Sequence, residues 1–93
     1  MKVVINNCHG GFDLSSEAKG LCLSRGITEA QIAADEKEMR SDPILVGVVE
    51  ELGERASDFG SELLVVEIPD GIDWQIENYD GWEWIAEAHR TWP

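Results

Sequence analysis

The chain has 93 residues, 43% apolar and 28% charged, with 19 acidic against 7 basic side chains and a formal net charge of −12. That length suits one domain, 1–93, with a core able to fold alone but little to spare. The charge opposes direct binding of nucleic acid or an anionic membrane over most of the surface and favours basic partners. No segment reads as a membrane span or signal peptide, and Cys8 and Cys22 read as free, packed thiols of a cytosolic protein.

Lys2-Val3-Val4-Ile5-Asn6 is a β-branched run that leads into Gly10-Gly11, which predicts a strand entering a turn. Ser15 is the expected N-cap of a first helix that Gly26 ends, with Ala18, Leu21 and Cys22 forming its inward stripe. Thr28-x-x-Gln31 is a capping box, with Ile27 and Ile32 at the staple positions, and predicts a second helix running to about Arg40. Asp42 as cap and Pro43 at N1 open a third helix, closed by Gly53. Its Leu45, Val48, Val49 and Leu52 recur at helical spacing and are expected to pack against Leu63 to Val66.

Glu62 to Ile68 is an almost unbroken apolar run stopped by Pro69-Asp70-Gly71, read as a central strand buried on both faces. Asp80-Gly81 between Trp74–Tyr79 and Trp82–Glu87 is the strongest hairpin signal in the chain, pairing Tyr79 with Trp82, Glu77 with Trp84 and Ile76 with Ile85. One hairpin face then holds Trp74, Ile76 and Ile85, the other Tyr79, Trp82 and Trp84. A helix over 82–90 is the competing reading. The fold class that results is α+β: a small, mostly antiparallel sheet of about four strands with two to three helices packed on one face.

Charge is segregated along the chain. Residues 56–89 carry nine carboxylates and no Lys or Arg, interleaved with Trp74, Tyr79, Trp82 and Trp84, whereas in the first 25 residues Lys2, Lys19 and Arg25 outnumber Asp13 and Glu17. Asp80, Glu83 and Glu87 read as a solvated face, not as a catalytic acid–base pair. Cys8 and His9 are adjacent and point to opposite sides in extended chain, so they do not form a nucleophile pair, and no Cys or His spacing suits a metal. The expectation is therefore a non-enzymatic protein without cofactor or metal.

Two features suggest binding. Asn6 to Phe12 joins strand to helix through Gly10 and Gly11, and it is either a tight turn or a phosphate cradle that uses backbone amides. It lacks the glycine and lysine spacing of the dinucleotide and P-loop motifs. The second feature is the outward hairpin face with Tyr79, Trp82 and Trp84, which serves as an oligomer interface, a partner surface or core. Arg90 either pairs with a local carboxylate such as Glu87 or holds a ligand anion.

Val4-Ile5-Asn6-Asn7-Cys8-His9-Gly10-Gly11-Phe12-Asp13-Leu14-Ser15 resembles the opening of a group of small proteins of tailed bacteriophages and prophages. Arg40-Ser41-Asp42-Pro43, Val48 to Gly53, Val66 to Gly71, Tyr79 to Trp84 and His89-Arg90-Thr91-Trp92 are similar to the rest of that group, so the resemblance covers nearly the whole chain. It implies a place in the host cytoplasm and an accessory role such as inhibiting a host defence or tuning a host enzyme. With the charge pattern, the expected partner is a host protein with a basic surface, met by the acidic aromatic half of a homodimer. The alternative is a small (cyclic) nucleotide signal sequestered at Gly10-Gly11. The binding candidates are thus Gly10, Gly11, Phe12, Tyr79, Trp82, Trp84 and Arg90.

Overall fold

A computed structural model describes residues 1–87 and 90–92, the last three as backbone only. The described elements run β1 (Lys2–Asn6), α1 (Ser16–Ser24), α2 (Glu29–Ala34), α3 (Lys37–Arg40), α4 (Pro43–Leu52), a 3-10 turn (Gly53–Ala56), β2 (Leu63–Glu67), β3 (Gln75–Tyr79), β4 (Trp82–Glu87) and β5 (Arg90–Trp92). The fold is α+β, and every described strand pair is antiparallel. The strands divide into two sheets, β1-β2 and β3-β4-β5, where the sequence suggested one.

The helix signals work as the sequence implies. Ser15 Oγ accepts from Ala18 N–H at 3.1 Å. Thr28 and Gln31 make the reciprocal capping box at 3.1 and 2.8 Å, and Asp42 caps Ile44 at 2.8 Å ahead of Pro43. These bonds satisfy amides that the first turn of a helix leaves without intrahelical partners. The expected second helix does not reach Arg40 unbroken. Asp35 takes a left-handed conformation (φ 48, ψ 48), ends α2 and starts the chain in a new direction. Asp tolerates that region better than most residues, and here its carboxylate is held in a fork by Arg40, at 2.7 Å from Nε and 2.9 Å from Nη2.

β1 is the most buried strand, with Val3, Val4, Ile5 and Asn6 wholly enclosed. Val4 points to the helices, where Leu45, Val48, Val49 and Leu52 of α4 close a cluster with Ala18 and Cys22, flanked by Leu63 and Val65. Val3 and Ile5 point the other way, onto Trp74, Ile85 and Ile68, with Val66 and Ile76 beside them. The β1–β2 ribbon is therefore covered by helices on one face and by the hairpin on the other. β2 is not the central strand its composition suggested. It pairs with β1 alone, and Leu64 and Glu67 are exposed. An apolar run reports covered faces, but edge pairing depends on backbone groups that composition does not encode.

The hairpin has the predicted register, Tyr79 with Trp82, Glu77 with Trp84 and Ile76 with Ile85. Asp80 (φ 53) and Gly81 (φ 90) supply the two positive φ angles of a type I′ turn. Residues 82–87 are strand, not helix; His89 lies outside the described residues, and Arg90 pairs with Glu87 in the β4–β5 register.

Glu83 was read as part of a solvated face, and it is buried. Its Oε1 and Oε2 accept from Arg40 Nη1 and Nη2 at 2.8 and 3.0 Å. Arg40 Nη1 also donates to Val4 O at 3.2 Å, and Asn6 N–H donates to Glu83 Oε1 at 2.8 Å. Burial opposes the Arg40 charge, but the bonds to Asp35 and Glu83 outweigh it and raise its pKa above the usual arginine range. Arg40→Met and Glu83→Leu are each expected to lose about 3–5 kcal/mol, because each strands a buried charge. The double variant should lose less than their sum yet stay destabilised by about 2 kcal/mol, since Val4 O and Asn6 N–H still lack partners. Urea melts of the three variants check this, and full recovery in the double variant would contradict it.

Candidate functional site

The segment Asn6 to Gly11 is wedged between two other loops, and Asn6 is the pin. Its Nδ2 donates to Cys8 O at 2.6 Å and to Gly81 O at 2.8 Å. Its Oδ1 accepts from Glu62 N–H at 2.8 Å and from the Cys8 thiol at 3.5 Å. One wholly buried side chain thus ties the end of β1 to the β2 approach and to the hairpin turn. A buried amide with this many matched partners fixes geometry strongly, because losing any one leaves a desolvated polar group.

Glycines let the three loops close up. A Cβ on Gly10 would lie 1.3 Å from Gly60 O, and one on Gly81 would lie 2.6 Å from His9 O and 2.7 Å from Gly11 N. Gly10 therefore serves backbone-to-backbone packing against Gly60, the role that the cradle reading gave to an anion. Gly11 (φ 86) has no atom within 4 Å of where its Cβ would be, so only its backbone angle calls for glycine. The single Cys8 S–H is shared between Asn6 Oδ1 and Gly60 O, the latter at 3.1 Å, and Trp82 Nε1 donates to Asn7 Oδ1 at 3.1 Å. The His9 ring stands edge-on to Trp82, with centroids 4.8 Å apart, and to Tyr79 at 6.3 Å.

The outcome is one end of the molecule where aromatic groups stand in solvent. Phe59 is fully exposed, Tyr79 is 72% exposed and Trp82 is 41% exposed, with exposed His9 between the last two. Asp58, Glu62 and Asp80 are exposed on the same loops. Of the sequence candidates, Gly10, Gly11, Tyr79 and Trp82 meet here, and half-buried Trp84 continues the same hairpin face. Phe12 does not join them. Its ring covers the Arg40 guanidinium at 3.5 Å, a cation–π contact that helps to keep water from the buried ion pair. The Arg90 side chain lies outside what is described. Phe59 was missed, although a lone aromatic between Asp58 and Gly60 in a turn is the kind of residue a core does not claim.

The distribution of cations decides what this end attracts. Arg25 is paired with Glu51 at 2.8 Å, Lys2 with Glu50 at 2.8 Å and Arg55 with Glu17, and Lys37 lies 4.6 Å over the Trp74 ring. Every N–H of Arg40 is engaged with Asp35, Glu83 or Val4. Arg25 and Arg40 are therefore committed elsewhere and are not available to a nucleotide phosphate. Of the nine carboxylates in 56–89, Asp58, Glu62, Glu67, Asp70, Asp73 and Asp80 are exposed, and Asp70 accepts from the chain's own N-terminal amine at 2.7 Å. Burial pushes the Cys22 thiol pKa up, which keeps it protonated and unreactive.

Comparison with protein-family models, curated proteins and solved structures gave no match.

The wedge makes a graded prediction. Gly71 (φ 78) and Gly81 (φ 90) both have positive φ, but only Gly81 abuts another loop. Gly71→Ala should cost about 1–2 kcal/mol from backbone strain alone. Gly81→Ala should cost about 1–3 kcal/mol more from overpacking against His9 and Gly11. Equal losses in denaturant melts would mean that the loops are not held together at this point.

Proposed function

We propose that this is a non-enzymatic accessory protein of a tailed bacteriophage that acts in the host cytoplasm by binding. Its aromatic, acidic loop end docks on the basic surface of a host protein, either a defence component or one that handles nucleic acid, and inhibits it. The observation that carries this reading is the convergence of three loops that hold Phe59, His9, Tyr79 and Trp82 in solvent amid Asp58, Glu62 and Asp80. Exposed aromatics are what protein interfaces use as anchors. Carboxylates around them steer a cationic partner into place and imitate a phosphate backbone. The resemblance of the Asn6–Ser15 and Tyr79–Trp84 motifs to phage proteins supplies the setting. Among the described residues no helix is long and apolar enough to cross a membrane, which fits that setting.

Nucleotide sequestration at Gly10-Gly11 is the weaker reading, because Gly60 fills the close-approach side of Gly10 and Arg40, which lies against Phe12, has every N–H engaged. Pairing of two copies through Trp82 and Trp84 competes for the same face.

Immobilised wild type should capture a basic host protein from lysate, with retention falling at least tenfold between about 50 and 500 mM salt as exposed charges are screened. Phe59→Ser/Tyr79→Ser/Trp82→Ser should abolish capture while leaving the melting temperature within a few degrees. An unchanged capture profile with that variant would overturn the reading. A thermal shift with millimolar nucleotide would favour sequestration, since binding at a hundredfold excess over Kd adds about 2.7 kcal/mol. A sedimentation mass of twice 10.3 kDa that falls on substitution would assign the face to self-association.

A further inference from the structure

The two edges of the β1–β2 ribbon are finished differently. On the β1 edge, Val4 O and Asn6 N–H are met by Arg40 and Glu83. On the β2 edge the first outward donor, Leu63 N–H, is held by Ser57 Oγ at 2.8 Å. The next outward groups, those of Val65 and Glu67, face no strand among the described residues. The register shows that these groups point outward: the Met1–Ile68 and Asn7–Glu62 backbone bonds set the inward pairs at alternate residues, leaving 63, 65 and 67 directed away from β1. Leu63–Glu67 has no proline, no lysine and no bulge, the devices that usually blunt an exposed edge.

Charge says what suits this edge. At its head lies an open cleft of ≈ 360 Å³ lined by Glu54, Ser57, Ser61, Glu62 and Leu63, and Glu67 is exposed at its tail. A second copy paired antiparallel about Val65 would set each Glu67 beside the partner's Glu54–Glu62 cleft, on chains that each carry −12. Like charges so placed oppose the pairing. A basic segment meets no such repulsion, and a Lys or Arg on it finds two carboxylates and two hydroxyls in the cleft.

We propose that β2 is a strand-addition site for an extended, basic segment of a partner protein. The segment's main chain pairs with the outward groups of Val65 and Glu67, and one of its cationic side chains enters the cleft between Glu54 and Glu62. Main-chain pairing supplies affinity with little demand on sequence, and the cleft supplies selection for a cation.

The probe is a seven-residue peptide alternating Lys or Arg with Val, blocked at both ends, beside the same peptide N-methylated at every residue. The two carry the same charge, but only the first can pair as a strand. Titration followed by amide exchange should show the Val65 and Glu67 amides exchanging freely in the protein alone and at least tenfold more slowly with the first peptide. The methylated peptide should bind at least tenfold more weakly. Val65→Pro removes the outward N–H together with a side chain that packs on the helical core, so it is read only if its melt stays cooperative, and it should then weaken binding to the same degree. Glu54→Gln/Glu62→Gln should weaken binding of this peptide, and Tyr79→Ser should leave it unchanged, which separates this edge from the aromatic loops. Equal affinity for the two peptides, no binding at millimolar peptide, or Val65 and Glu67 amides already protected in the free protein would each overturn the proposal.

Discussion

The Arg40–Glu83 ion pair stands where a strand would stand. In a parallel ladder, one residue of an added strand donates its N–H to a carbonyl and accepts from the amide two residues further on. Arg40 Nη1 donates to Val4 O and Glu83 Oε1 accepts from Asn6 N–H, so two side chains reproduce that pattern on the free edge of β1. The pair is 3% and 8% exposed, and the cost of its desolvation is offset by the fork from Asp35 and the Phe12 ring over the guanidinium. Buried ion pairs are often replaceable by apolar groups at no loss. This one differs, because an apolar replacement would leave a backbone donor and a backbone acceptor unpaired in the core.

The pair also decides how the pieces of the fold sit together. Arg40 comes from the helical half, Val4 and Asn6 from β1, and Glu83 from the hairpin, so one cluster of bonds registers all three. Apolar packing against β1 supplies most of the contact, with Val4 toward the helices and Val3 and Ile5 toward Trp74 and Ile85. Apolar contact is non-directional, however, and would tolerate a hairpin slid along the ribbon. The ion pair, together with Asn6 binding Gly81 O and Cys8 O, fixes that slide. The loop surface inherits its shape from this registration: His9 meets Trp82, and Gly10 meets Gly60, because Asn6 and Glu83 are held.

Much of the fold was legible because its signals are local. Thr28 with Gln31, Asp42 with Pro43 and Asp80 with Gly81 each act within four residues, and each element they mark is present. What was not legible is nonlocal. The break at Asp35 is tied to Arg40, which is in turn bound to residues about forty positions away in either direction, and nothing in the 29–40 periodicity announces it. The apolar run at 63–66 was read as a central strand buried on both faces, but Leu63, Val65 and Val66 are only half-buried, Leu64 is exposed, and the strand pairs along one edge alone. At the candidate site, Tyr79 and Trp82 were found because a two-residue turn fixes which side chains share a face. Asn6 and Gly60 were not, since an asparagine ending a strand and a glycine in a loop look the same whether they pin three loops or only turn one. Phe12 was placed with the binding residues on proximity to Gly10-Gly11 alone, and its partner is a cation from another element.

The segregation of charge along the sequence takes on a definite meaning in three dimensions. The acidic stretch 56–89, without Lys or Arg of its own, depends on the rest of the chain for compensation, and the fold spends that supply sparingly. Arg40 reaches across to Glu83, Lys37 lies over Trp74 and the terminal amine reaches Asp70, while Lys2, Arg25 and Arg55 pair with Glu50, Glu51 and Glu17 outside that stretch. Asp58, Glu62 and Asp80 are left exposed around the aromatic loop end, and Glu67 and Asp73 at and beyond the far end of β2. An exposed carboxylate costs little while water solvates it, but a row of them raises the free energy of every like-charged neighbour. A cationic partner lowers all of those terms at once. In the proposed function this charge biases the free protein toward basic surfaces before any specific contact forms, and the aromatic groups and the open strand edge then turn that attraction into a fit.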